Sequence, residues 1–381
     1  MRFLHILNAN ERNSANLIRQ LKATVDLTNH VFLVLNSEEK VKKLFPEFHS
    51  LYNFEYLPAK GRLKKIACLY KRMADADKII FHSLIFNSNK FLLFFAVLKK
   101  FLKKSVWIEW GGDLYNWKRE ETDLKSRVLN YLNHKIRAEI PVVGTTFEYD
   151  NIAIKRDFGD KRIYFTPLPF GTDRMDLLKE VCTHHKRTDG PVRIQVAHNI
   201  LPINNHLSIL EKLEKFKFKN IRIIMPISYG TFGIGGKFAG LTYKRNVQIC
   251  AKNMFPENIT FMSKGIALKY YLRYLWNIDI AVFDCDRPIA LANIYYLYFL
   301  GKKIFVPRKS PQYSFFIDQG MRIFATEDIS KMSFEEFVSN DLKPLYDPNN
   351  PDMKLPPILE QKFKPYEEMK YWKIFFEELS K

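Results

Sequence analysis

Short runs of β-branched and aromatic residues recur along this chain, and longer segments with helical apolar spacing lie between most of them. In the first half the runs fall near 2–8 (RFLHILN), 29–36, 53–57, 78–83 (KIIFHS), 105–110 (SVWIEW), 140–144 and 162–168. A second series begins at 192–198 (VRIQVAH) and continues at 221–227 (IRIIMPI), 259–263, 278–283 (IDIAVF), 302–307 (KKIFVP) and 322–326. Strands this apolar need cover on both faces, so their alternation with helices predicts parallel sheets wrapped by helices. The fold class is α/β, with two Rossmann-like domains whose sheets each restart from their own first strand.

At 381 residues the chain is long for a single core, which agrees with that division. The first domain is expected over 1–175 and the second over 191–355. The polar stretch 176–190 (DLLKEVCTHHKRTDG) reads as the linker, and a helix-like segment over 356–381 closes the chain. Open parallel sheets bind ligands beyond the carboxyl ends of their strands, where strand order reverses. Two such domains facing each other predict one cleft, and strand ends are the places to look for chemistry.

One such end reads WIEWGGDLYNW (107–117). Its paired glycines, Gly111 and Gly112, let the backbone turn sharply and let a ligand come close. Asp113 is either the cap of the helix that follows or a carboxylate presented to the cleft. Capping alone does not explain Trp107, Trp110 and two glycines beside it. In the second half AHNILPINNHLSIL (197–210) follows a strand. There His198, Asn199, Asn204 and His206 either hold phosphate and sugar hydroxyls or carry out ordinary turn chemistry. Tyr229 ends the next strand, and Ser263 the one after it. DCDRPIALAN (284–293) opens a further helix, with Arg287 beside its start, where a diphosphate meets both a cationic fork and the helix dipole. YGTFGIGGKFAG (229–240) lacks the P-loop and Rossmann glycine spacings and reads as a mobile loop or a surface insertion.

Sixty Lys+Arg stand against 41 Asp+Glu, a formal charge of +19 that favours polyanionic partners over a merely solvated surface. FLLFFAVL (91–98) is too short to span a bilayer, which takes about 20 apolar residues. It does lead into Lys99, Lys100, Lys103 and Lys104, and KGRLKKIACLYKRM (60–73) adds a second basic face. Together they suggest contact with an anionic membrane surface. The N-terminus MRFLHILNAN does not read as a signal peptide. The four cysteines show no metal or redox spacing, and Cys182 with His184 and His185 reads as a solvated loop. A reducing, cytoplasmic setting fits, and no cofactor or metal is expected.

The chain resembles the TDP-Fuc4NAc:lipid II Fuc4NAc transferases, glycosyltransferase family 56, over nearly its whole length. The likeness is carried by W-G-x-D-L-Y at Trp110, Gly111, Asp113, Leu114 and Tyr115, and by Phe81-His82 upstream. Further matches are Asn204 and His206, Pro226 and Tyr229, then Tyr271, Leu272 and Asp279. The resemblance implies a GT-B fold, a nucleotide sugar held by the second domain, a lipid-linked acceptor on the first, and a final helix crossing back to the first. It implies a metal-independent transferase, peripheral at the inner face of the cell membrane. Arg287 matches the family's arginine. Departures are Ala290-Leu291-Ala292-Asn293 for the family's G-I-G-T, Asn8-Ala9-Asn10 for a glycine in the first loop, and the 231–240 insertion, so the sugars need not be the same.

The expected activity is transfer of a deoxyamino or other hexosyl unit from a TDP- or UDP-sugar to a polyprenyl-diphosphate-linked saccharide in surface polysaccharide synthesis. Asp113 is the favoured catalytic residue, with His82 and Glu109 behind it. Trp110, Gly111, Gly112 and Tyr115 line the acceptor side. His198, Asn199, Asn204, His206, Tyr229, Ser263, Arg287 and residues 290–293 take the donor. Two other readings compete: a GT-B isomerase such as a nucleotide-sugar 2-epimerase, and a nucleic-acid binder. Against the latter, no recognised motif is present and the basic residues are spread over both halves.

Overall fold

The computed structural model describes residues 1–7, 12–35, 38–39, 53–58, 61–85, 89–118, 121–167, 174–185, 189–228, 230, 236–350, 355–359 and 365–381. Tyr229 and residues 8–10 and 231–235 lie outside these. The chain forms two compact units, Met1–Gly171 with Pro365–Lys381, and Thr172–Lys364.

The first unit runs β1 (Phe3–Leu7), α1 (Arg12–Thr24), β2 (His30–Val34), β3 (Phe54–Tyr56), α2 (Arg62–Asp75), β4 (Lys78–His82), α3 (Asn89–Val97), α4 (Lys99–Leu102), β5 (Ser105–Ile108), α5 (Gly112–Tyr115), α6 (Leu124–Glu139), β6 (Val142–Thr145), α7 (Asp150–Phe158) and β7 (Arg162–Phe165). The second runs α8 (Arg174–His184), β8 (Val192–Val196), α9 (His206–Leu213), β9 (Ile221–Pro226), α10 (Gly236–Met254), β10 (Ile259–Met262), α11 (Leu268–Trp276), β11 (Ile280–Val282), α12 (Leu291–Phe299), β12 (Lys303–Val306), α13 (Pro311–Asp318), β13 (Phe324–Ala325) and α14 (Phe334–Val338). A last helix, α15 (Pro365–Ser380), belongs to the first unit.

Every apolar run singled out in the sequence holds a strand, and all pairings between them are parallel. The first sheet has the order β3-β2-β1-β4-β5-β6-β7 and the second β10-β9-β8-β11-β12-β13. In both, the order reverses beside the first strand, so the switch points lie between β1 and β4 and between β8 and β11. Two segments differ from expectation. Most of 176–190 is not linker: Leu178 and Val181, three residues apart, form a buried stripe that packs α8 against α11 of the second unit. Residues 236–240 open the long helix α10 rather than forming loop, despite Gly236 and Gly240.

Opposite faces of the first sheet have different cover. Leu4, Ile6, Phe81, Trp107 and Val143 face one way, toward α2, α3, α6 and α7. On the other face Phe3, Leu7, Phe32, Ile80 and Val106 meet α1 and α15, which supply Leu17, Leu21, Trp372, Phe375 and Phe376. Among these apolar side chains lie three buried histidines, His30 on β2, His5 on β1 and His82 on β4. Burial holds each imidazole below its ordinary value, His30 at about 4 and His82 at about 3, with His5 also well below. In the second unit burial likewise lowers His198 to about 3 and His206 to about 4.

These shifts fix the sign of the acid response. An unfolded histidine takes up a proton near pH 6.5, whereas the folded ones resist until much lower pH. Their contribution to stability is complete above about pH 6.5 and is lost as pH falls toward about 4. The melting temperature should fall steadily between about pH 7 and about pH 5, and a flat profile by calorimetry contradicts the neutral assignment.

Candidate functional site

The turn after β5 is built by two carboxyl groups. Asp113, 1% exposed, accepts from Leu84 N (2.8 Å) and Trp107 Nε1 (2.6 Å) on one oxygen and from Trp110 N (2.9 Å) on the other. Beneath it Arg137, fully buried, donates to the carbonyls of Asp113 and Leu84, and its guanidinium lies 5.5 Å from the Trp107 ring centre. Burial lowers that guanidinium to about 10, and Asp113 opposes the shift. Asp113 thus has three of its roughly four acceptor sites taken by the protein.

Glu109 is fully buried. Its Oε2 accepts from Gly111 N (2.6 Å), and its Oε1 lies 2.8 Å from Thr145 Oγ1. Burial, reinforced by the charges of Asp150 and Asp113, holds its carboxyl well above the usual range. Thr145 Oγ1 is also 2.8 Å from the Phe147 carbonyl, and Thr146 N donates to Glu109 Oε1 (3.3 Å). Tyr115, expected on the acceptor side, donates to Asp150 (2.5 Å). Gly111 adopts φ +75°, a conformation that glycine reaches freely, whereas Gly112 is ordinary helix.

His82 differs from both carboxyl groups. It ends β4 at the switch point, and its Nδ1 is buried with no hydrogen-bond partner among the described residues. The next residue, Ser83, has φ +72°, and its Oγ is likewise buried and unpartnered. Strain and unsatisfied polar atoms each cost free energy, and they persist most readily where a ligand uses them. The Trp110 ring stands 6.3 Å from the His82 ring. Of the three expected catalytic residues, His82 is the one with a buried polar atom that no described residue meets.

In the second unit the loop after β8 is a closed network. Asn199 Nδ2 donates to His198 Nε2 (2.8 Å), while Asn199 Oδ1 accepts from Leu201 N and Asn204 Nδ2. His206 Nε2 donates to the Asn199 carbonyl (2.9 Å), leaving its Nδ1 to accept from Tyr243 (3.1 Å). These four expected donor residues thus shape the loop, and among them Asn204 Oδ1 is a buried acceptor without a partner in the described residues. Asn205, at φ +49°, ties the loop across the switch point to the Asp284 carbonyl (2.8 Å). Asp284 in turn accepts from Ser208 and pairs with Lys212 (2.9 Å).

Beyond β11, Arg287 is nine-tenths buried, and its charge reaches the His198 imidazole. Ala290, at φ +59°, precedes α12 and brings no side-chain cap to its first turn, formed by Leu291, Ala292 and Asn293. Asn293 Oδ1 accepts from Tyr271 (2.7 Å). Gln312 holds Ile289 N (3.1 Å) just ahead of that turn, a role that no local sequence pattern announces. Ser263 is exposed at the end of β10, the edge strand, two strands away from the switch point. Asp279, part of the family pattern, accepts from Arg193 N at the opposite end of the sheet. Among the described residues no group of three His, Cys, Asp or Glu side chains is placed to hold a metal ion.

The basic segments are more occupied than expected. Lys99 pairs with Glu139 (3.0 Å), Lys100 donates to Tyr70 (2.8 Å) and Lys104 to the Ala76 carbonyl. Helix α2 instead exposes apolar side chains, Leu63 (82%), Ile66 and Tyr70, beside exposed Lys64 and Lys71; α3 exposes Leu93 and Val97. No described helix is long and apolar enough to cross a membrane.

Amide replacement should cost more stability at Asp113 than at Glu109. In Asp113→Asn an NH2 must face backbone or indole donors, at about 1–3 kcal/mol for each one left unpaired. Glu109→Gln keeps an acceptor toward Gly111 and leaves only the long contact from Thr146 N (3.3 Å) unpaired, so it should cost about 1 kcal/mol. Urea denaturation of both variants measures the contrast, and equal losses refute the assignment.

Solved structures of similar fold include HepE of Anabaena in complex with UDP (11% identity, TM-score 0.62, 100% of each chain covered) and in complex with UDP and glucose (12% identity, TM-score 0.61, covering 100% of this chain and 99% of that one). Another is an α,α-trehalose 6-phosphate synthase of Burkholderia multivorans (10% identity, TM-score 0.58, covering 100% of this chain and 96% of that one). At these identities the likeness is one of fold, and that fold is GT-B. Residues 4–342 match the family described as 4-alpha-L-fucosyltransferase, glycosyl transferase group 56. That match covers nearly the whole sequence, and the chain belongs to this family of glycosyltransferases.

Proposed function

We propose that the protein transfers a sugar from a nucleoside-diphosphate donor, a TDP- or UDP-sugar, to a hydroxyl of a polyprenyl-diphosphate-linked saccharide. The family supports sugar transfer, and structures of similar fold hold UDP. The observation that carries the donor assignment is the second unit's switch point, where buried Arg287 stands beside the uncapped start of α12. As the bond from the anomeric carbon to the diphosphate breaks, charge grows on the leaving oxygen. Arg287 and the backbone N–H groups of residues 291–293 stabilise it there without a metal ion. The acceptor hydroxyl loses its proton to His82 Nδ1 at the carboxyl end of β4. Asp113 and Glu109 hold the turn beside it.

Binding to the folded state raises the melting temperature, by about 2.7 kcal/mol of added stability at a hundredfold excess over Kd. In a thermal-shift panel of TDP-, UDP- and GDP-sugars, one nucleotide class should raise it. Arg287→Ala should abolish the rise while leaving the unliganded protein folded. No shift with any nucleotide sugar overturns the donor assignment.

A lipid-linked acceptor requires the protein to work at the inner face of the cell membrane, as a peripheral protein. Support comes from α2, where Leu63, Ile66 and Tyr70 are exposed among lysines. Such a face gains both apolar burial and attraction to anionic headgroups. Sedimentation with phosphatidylglycerol vesicles should be strong, should weaken in high salt and should fall severalfold in Leu63→Glu/Ile66→Glu. Equal binding by the variant removes this surface from the proposal.

A further inference from the structure

The three histidines of the first sheet are not separate core residues. His5 Nδ1 is 2.9 Å from His82 Nε2, and His5 Nε2 is 2.8 Å from His30 Nδ1. Strand register sets the line they follow. His30 lies opposite Phe3, His82 is one residue beyond the pair Ile6 and Phe81, and His5 is between. Successive rings thus step two residues along the sheet with each strand crossed, all on the face beneath α1 and α15. The line runs from the amino end of β2 to the carboxyl end of β4. Phe3, Phe32 and Phe376 enclose the rings, within 4.4–5.9 Å of His5 or His30.

Proton counting restricts this chain to two states. Each N···N contact needs one proton, and each neutral ring carries one. Either all three rings are protonated at Nε2, leaving His82 Nδ1 bare, or all three are protonated at Nδ1. No mixed arrangement satisfies both contacts. One proton entering at His82 Nδ1, one shift across each contact and one proton leaving from His30 Nε2 converts the first state into the second. The far end has an outlet, since the exposed carboxylate of Asp26 is close enough for its charge to act on His30.

We propose that His82, His5 and His30 form a proton relay, which draws the acceptor hydroxyl's proton through the sheet from its carboxyl end to its amino end. The proposal rests on His82 being the base of the transfer reaction. His82 touches the reacting hydroxyl, and His5 and His30 act through it as positioning and relay residues. After product release the reverse shift takes a proton in at His30 Nε2 and releases one from His82 Nδ1 to water, which restores the bare Nδ1.

Long-range proton–nitrogen spectra of the full chain labelled with 15N-histidine test the wire without any substrate. Replacing His82 by Phe should change the tautomer balance of His30, a ring it does not touch, and adding His5→Phe should remove that response. His5→Gln, which keeps hydrogen bonds to both neighbours but cannot shift a proton, should keep the response, because its amide can turn over, and it guards against a packing defect in the Phe variant. A His30 signal indifferent to His82 overturns the relay. Turnover of the nucleotide sugar found by thermal shift tests the base separately. His5→Gln should lower kcat at least tenfold with KM within twofold and should abolish the solvent deuterium effect. A coupled His30 with unchanged turnover in His5→Gln shows a wire that this reaction does not use, which rejects the relay as proposed, whereas unchanged turnover in His82→Gln rejects the base reading.

Discussion

Three carbonyls and three donors converge on the residues Asp113 and Arg137, and the upper edge of the first sheet depends on that convergence. The carboxylate gathers backbone from the end of β4, through Leu84, and from the end of β5, through Trp110, and it fixes the Trp107 indole between them. Arg137, arriving from α6, closes the arrangement by taking the carbonyls of the same two segments. Ion and ion partner are both out of water, where an unmatched charge costs several kcal/mol, so each is held by the other's neighbours as well as by attraction. Ser83 sits one residue before Leu84. Its left-handed backbone, and the open atoms of His82 and Ser83, are held in place by this anchor.

The second unit reaches a similar end by neutral means. Asn199, Asn204 and His206 knit one loop with amide and imidazole hydrogen bonds, and Asn205 carries the tie across to β11. Besides the Asp284–Lys212 pair, the charge of Arg287 reaches this loop at His198. The two sheets share a strand order yet present different chemistry at their reversals: unpartnered neutral atoms in one, a buried cation beside a bare helix start in the other.

Much of the fold was legible because buried parallel strands write themselves as apolar runs, and RFLHILN, KIIFHS or IRIIMPI admit few other readings. The helix over Arg174–His184 was harder to see, since Leu178 and Val181 are its two buried residues in a polar segment. Site residues were legible as positions and much less so as roles. WGGDLY marked a turn correctly, but nothing local reveals that Asp113 is met by Leu84 N, 29 residues earlier, or that Thr145 and Asp150 surround Glu109. Ionisation is set by burial and by neighbours brought from elsewhere in the chain. The histidine line was invisible for the same reason: its links join residues 25 and 77 apart, and strand register alone aligns them.

Helix α15 covers the histidine-bearing face of a sheet whose first strand begins at Phe3, and Trp372 Nε1 reaches Gln20 across 352 residues of sequence. During synthesis, when leading segments ordinarily collapse before trailing ones emerge, the opening sheet must therefore keep only the cover of α1 on that side until the entire second unit has left the ribosome. The chain closes its first lobe last.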